Sequence, residues 1–115
     1  MIISTAYPKA SRLRRRAEFL GVQGGGRRRH TAHLVMIRRP AETSRTRLGV
    51  TVSKRIGNAV VRNRVKRLLR EVFRVRHADI RPPLDVVVIA KPGAGTLSYA
   101  QAATEFARGL DLKVD

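Results

Sequence analysis

Ser53–Arg76, SKRIGNAVVRNRVKRLLREVFRVR, combines one amphipathic helix with nine basic side chains and a single acid, Glu71. At about 100° per residue, Val61, Val65, Leu68, Leu69, Val72, Phe73 and Val75 fall on one arc, while Arg62, Asn63, Arg64, Lys66, Arg67, Arg70 and Arg74 fall on the other. The apolar arc docks the helix on a core and leaves the basic face outward. Solvated helices usually interleave Glu with Lys at i,i+4, whereas Arg62, Lys66 and Arg70 stack like charges at that spacing. A polyanionic partner relieves this repulsion. The preference for arginine, 20 against 5 lysines, supplies the forked donors that match phosphate oxygens.

Composition agrees with a folded, nucleic-acid-facing protein. A chain of 115 residues holds one domain with a modest core, and 43% apolar residues is too many for a disordered basic tail. The net charge of +17 points to nucleic acid or an anionic membrane. It is concentrated early: residues 1–76 hold 21 bases and 3 acids, residues 77–115 hold 4 and 5. No apolar run approaches the roughly 20 residues of a spanning helix, and the longest, Val86–Ala90, has strand length. MIISTAYPKA lacks an apolar core long enough for a signal peptide. Without cysteine there are no disulfides or thiolate metal sites, which is merely compatible with a reducing cytoplasm.

Working outward, residues 1–10 are expected to form a loose arm, and Ser11 to cap a first helix with Leu13, Ala17 and Leu20 at helical spacing. That helix is expected to fail near Gly21, with Gly24–Gly26 as a flexible link lacking the Lys-Ser/Thr of a phosphate loop. Arg27–His30 reads as a loop or short edge strand. Strands over His33–Arg38 and Arg47–Ser53, joined by a short polar link, imply an antiparallel hairpin. Asn58 caps the basic helix and Pro82–Pro83 forbids its continuation. Asp85–Ala90 is an apolar run suited to an internal strand, and Ser98–Leu110 a last helix burying Ala102, Phe106 and Leu110. The fold class is therefore α/β (α+β), a small sandwich of about four strands and three helices in a single domain over residues 1–115.

The run KRIGNAVVRNRVKRLLRE, Lys54–Glu71, closely resembles the signature of the protein subunit of bacterial ribonuclease P, with its Arg-Asn-Arg at residues 62–64. RLRRRAEF (Arg12–Phe19) resembles that family's first helix and LGVTVSKR (Leu48–Arg55) its strand into the basic helix; the likeness covers roughly the first 90 residues. The resemblance implies a fold like the second domain of ribosomal protein S5. It also implies a left-handed β-α-β crossover, where the general rule is right-handed. It implies an RNA-binding component of an endoribonuclease in which the RNA subunit carries catalysis, helped to remove the 5′ leader of precursor tRNA. Expected partners are that RNA, at one protein per RNA, and precursor tRNA, with no membrane. No cofactor is expected on the chain, and magnesium is expected at the RNA subunit.

Carried over residue by residue, the RNA-binding set is Lys54, Arg55, Asn58, Arg62, Asn63, Arg64, Lys66, Arg67 and Arg70. A leader cleft is expected from Phe19, Met36 and Ile37, the chain having Gln23 where the family has a second aromatic and Met36 or Ile37 where it has a third. No catalytic residue is expected, because the eight acids are scattered and His30, His33 and His77 lie in unrelated places. An rRNA-binding ribosomal protein would explain the charge but not the basic string after SKRIGNAV, and a strand before the basic helix argues against a DNA-binding helix-turn-helix.

Overall fold

The N-terminal segment sets the first departure from expectation. The computed structural model describes residues 9–114, so residues 1–8 of the expected arm lie outside the described residues. After a 3-10 turn at Lys9–Ser11, Arg12 bridges Leu48 in parallel and the Leu13 N–H donates to the Leu48 carbonyl at 3.0 Å. Backbone engaged this way cannot also wind into a helix. Helix α1 therefore begins at Arg16, not near Ser11, and runs to Gly25. Glu18 closes its start by accepting from the Arg14 and Arg15 N–H groups, each at 3.0 Å.

Gly21 does not stop this helix; the Arg39 guanidinium lies over it, 2.9 Å from where a Cβ would sit. Nor are Gly24–Gly26 a flexible link. Gly24 and Gly25 form the last helical turn, and at Gly26 a Cβ would lie 2.5 Å from the Val22 carbonyl oxygen and 2.8 Å from that of Arg38. Leu20 is 51% exposed, because the burial expected of it falls instead to Leu13, Val22 and the half-buried Phe19.

Strands β1 (Arg27–His30), β2 (Leu34–Pro40), β3 (Arg47–Thr51) and β4 (Leu84–Ala90) form one sheet in the order β1-β2-β4-β3. β1 and β2 are antiparallel, as are β2 and β4, while β3 runs parallel to β4. The hairpin expected between β2 and β3 is absent because β4 lies between them. Its residues Asp85–Val88 are buried on both faces, which only a central strand provides. Its entry is held by the Ala41 N–H on the Pro83 carbonyl at 3.0 Å, and by the Leu84 N–H on Thr46 Oγ1 at 3.2 Å.

Helix α2 (Ala59–Arg76) is the crossover from β3 to β4. Asn58 caps it, its side chain accepting from the Val61 N–H at 3.0 Å. Before it Gly57 has φ +157°, and a Cβ there would lie 2.9 Å from Val61, so the turn requires glycine. Val65, Leu69, Val72 and Phe73 are buried, but Val75, at the margin of the arc, is 52% exposed. Helix α3 (Tyr99–Gly109) starts from a Ser98–Gln101 capping box and packs on α2, Phe106 meeting Phe73 edge-on at 6.5 Å.

Strand alternation divides the core. Leu34, Met36, Leu48, Val86 and Val88 face α2 and α3, while Val35, Ile37 and Val87 face α1 with Leu13 and Val22. Each such side chain, fully buried, contributes about 1.5–3 kcal/mol.

Candidate nucleic-acid interface

The exposed side of α2 is concave. A groove of about 370 Å³ is lined by Arg12, Asn63, Lys66, Arg67, Arg70, Glu71 and Arg74. Its one acid is engaged: Glu71 accepts from Arg74 at 2.9 Å, a hydrogen bond that holds its carboxyl below the usual range. Arg12 is a groove residue that the sequence did not single out, and no local signal marks it. The bridge to Leu48 is what brings it beside α2. Arg12 also borders a second basic hollow of about 560 Å³ that takes in Lys9, Arg14, Arg15 and Arg45.

The remaining members of the RNA-binding set divide by place. Lys54 and Arg55 are exposed on the 3-10 turn Lys54–Ile56 that precedes α2. Asn58 is occupied as the helix cap. Arg62 is half-buried with its Nε enclosed and unpaired. Arg64 points away from the groove and donates to the Leu97 carbonyl at 3.2 Å and to that of Gly95, tying α2 to the loop before α3.

Phe19, Met36 and Ile37 do not line one cleft. Met36 lies on the opposite face of the sheet, fully buried, its sulfur 2.1 Å from where a Gly109 Cβ would sit, because adjacent strand residues point to opposite sides. Ile37 is on the α1 face but fully buried, its methyl group against Gly26. Phe19 alone of the three is partly open. Its ring rests on Gly49, where a Cβ would approach to 2.6 Å. It packs against the cluster of Leu13, Val22, Val35, Ile37 and Val87, which Ile89 also borders, with the half-buried Gln23 one helical turn beyond Phe19.

The described carboxylates are all engaged by the chain's own donors. Asp85, fully buried, takes a bidentate pair from Arg47 (Nε–Oδ1 and Nη2–Oδ2, both 2.9 Å), and Arg47 reaches Glu18 at 2.6 Å. The Arg15 and Arg14 N–H groups, with Arg47, lower the Glu18 pKa to about 2, and hydrogen bonding to Asp85 pushes that of Arg47 up. Burial pushes Glu105 up, but the hydrogen bonds from Thr31 and His33 outweigh it and lower its pKa. Arg38 and Arg29 hold Asp111 low, Arg39 pairs with Glu42, and Arg76 with Asp79 at 2.8 Å. His77 Nδ1 is 2.9 Å from the Arg74 carbonyl. Among the described residues no three His, Asp or Glu side chains converge to hold a metal ion.

A basic groove along one helix, over a mixed four-stranded sheet whose acids are internally matched, defines an α+β protein suited to a polyanionic partner. The profile of the Ribonuclease P family matches residues 7–112, well past the first 90 or so residues that carry the sequence resemblance. The ribonuclease P protein component of Citrifermentans bemidjiense is 44% identical over 104 residues, covering 90% of this chain and 89% of the relative. Among solved structures, the Staphylococcus aureus RNase P protein superposes with a TM-score of 0.81 at 33% identity, covering 90% of this chain and 94% of that one. That of Thermotoga maritima gives 0.77 at 28% identity, covering 86% and 94%. The chain belongs to the ribonuclease P protein family, whose members act with a catalytic RNA subunit in tRNA 5′ processing.

Proposed function

We propose that the α2 groove, with Lys54 and Arg55 at its head, binds the RNA subunit, and that the α1 face around Phe19 receives the 5′ leader of precursor tRNA. The carrying observation is the groove itself, where Arg12 joins Lys66, Arg67 and Arg70 along one concave surface whose only acid is already paired. Such a surface neutralises several phosphates at once. Magnesium acts at the RNA subunit, one protein serves each RNA, and the complex works in the cytoplasm. Among the described residues no helix is long and apolar enough to cross a membrane.

Reconstitution tests this reading. With the cognate RNA subunit at low magnesium, the protein should raise precursor-tRNA cleavage, and a Lys66→Ala/Arg67→Ala variant should raise it far less. The purified protein alone should cleave nothing; robust cleavage without the RNA subunit would overturn the division of labour.

A further inference from the structure

At the end of the sheet where β1 begins and β2 finishes, a third hollow of about 370 Å³ shares no residue with the α2 groove. Its floor is apolar: Leu110 is buried, Leu84 and Leu112 are half-buried, and Pro82 lies beside them. Arginines form its rim. Two of them, Arg38 and Arg39, are matched by Asp111 and Glu42. The other two are not. The Arg27 side chain has no hydrogen-bond or ion-pair partner among the described residues, and the Arg81 side chain donates only its Nε, to the Ala78 carbonyl at 3.1 Å.

Two uncompensated guanidinium groups over an aliphatic floor select a ligand with both an anionic and a flat apolar part. Inorganic phosphate would leave the floor unused, and an apolar ligand would leave the charges unanswered. A nucleotide matches both, its phosphate meeting the forked donors and its base lying on the leucines. The volume falls in the lower part of the roughly 300–1,000 Å³ range of small-ligand sites, enough for one such unit. We propose that this hollow holds a single unpaired nucleotide of a bound RNA chain, as a contact separate from the α2 groove. The proposal rests on the RNA-binding reading above and adds a second, local point of attachment to it.

The test is an NMR titration of isotope-labelled full-length protein with a short unstructured oligouridylate, uridine 5′-monophosphate and inorganic phosphate. The oligonucleotide should shift the amides of residues 81–84 and 110–112. Arg27→Ala, which removes no side-chain hydrogen bond or ion pair among the described residues, combined with Arg81→Ala should weaken that site roughly tenfold. The same double variant should leave the shifts along residues 63–74 intact, and an unchanged melting temperature would exclude unfolding as the cause. Shifts confined to residues 63–74 would overturn the proposal while sparing the α2 reading, and no shift anywhere would sink both. Phosphate acting as strongly as the oligonucleotide would reduce the hollow to a bare anion site, and the monophosphate binding as tightly would make it a free-nucleotide site; either result defeats the assignment.

Discussion

Arg64 and Arg67 sit three positions apart on one helix and do different things. Arg64 binds two carbonyls of its own chain, at Gly95 and Leu97, whereas Arg67 faces the groove. Charged hydrogen bonds contribute about 1.5–3 kcal/mol when shielded, and partial exposure brings this pair toward 1 kcal/mol. Arg64→Ala should therefore lower the melting temperature measurably, and Arg67→Ala should leave it within about 0.5 kcal/mol of the parent stability. Equal melting curves for both variants would refute the tether. Phe19 is the other residue whose position divides its duties. Removing a fully buried Phe costs about 3–5 kcal/mol; Phe19 is half-buried, so Phe19→Ala should cost less than that. It should also weaken binding of long-leader precursor tRNA by about 1–3 kcal/mol while sparing mature tRNA. Melting curves beside two binding isotherms decide the point: equal damage to both RNAs removes the leader role. Gly49→Ala perturbs the packing under the ring while leaving Phe19 in place. The added methyl would meet Phe19 at 2.6 Å and should cost about 1–3 kcal/mol through overpacking.

Along α2, Lys66, Arg67 and Arg70 are groove residues, and Arg62 stacks on Lys66 at i,i+4. Each alanine at 66, 67 or 70 should reduce the log-log salt dependence of RNA-subunit affinity by about one unit per lost phosphate contact. An unchanged slope would move the contact surface elsewhere. α1 carries a pH dependence at its start. The Glu18 pKa is lowered from 4.5 to about 2, so its ionised form stabilises the fold fully above pH 4.5 and loses that contribution as pH falls toward 2. Glu18→Gln should flatten stability across that window in acid unfolding. The elements legible in the sequence were those whose pattern is local: the amphipathic period and Asn58 cap of α2, the apolar run of β4, the Ser98 cap of α3. Elsewhere tertiary pairing overrides the local signals. Ser11 looked like a cap until Leu13 joined Leu48, and Gly24–Gly26 looked loose until Val22 and Arg38 closed on Gly26. Within the site, the basic face was visible because charge and period coincide. Met36 was misplaced because one step along β2 exchanges the two faces of the sheet, and Arg12 was missed because a remote strand positions it.

At the scale of the molecule, one sheet separates two cores of different size. α2 and α3 cover one face with the larger cluster, and α1 covers the other with Leu13, Val22, Val35, Ile37 and Val87. The surfaces proposed for RNA lie on both sides of that sheet and at its end, so the RNA subunit and the leader would meet the body from opposite faces. Everything depends on β4, which pairs with β2 on one side and β3 on the other. Without it the β1–β2 hairpin and β3 are two pieces with no hydrogen bonds joining them as a sheet, and a fragment ending at Pro83 should show no dispersed amide spectrum. β4 is also the last strand to be made. Synthesis at about 5–20 residues per second delivers the entire arginine-rich stretch through Arg76 before the strand that unites the sheet exists. During translation the arginines therefore precede the strand that joins the sheet, and the body that presents them in one arrangement requires residues 84–90 and the α3 residues that follow.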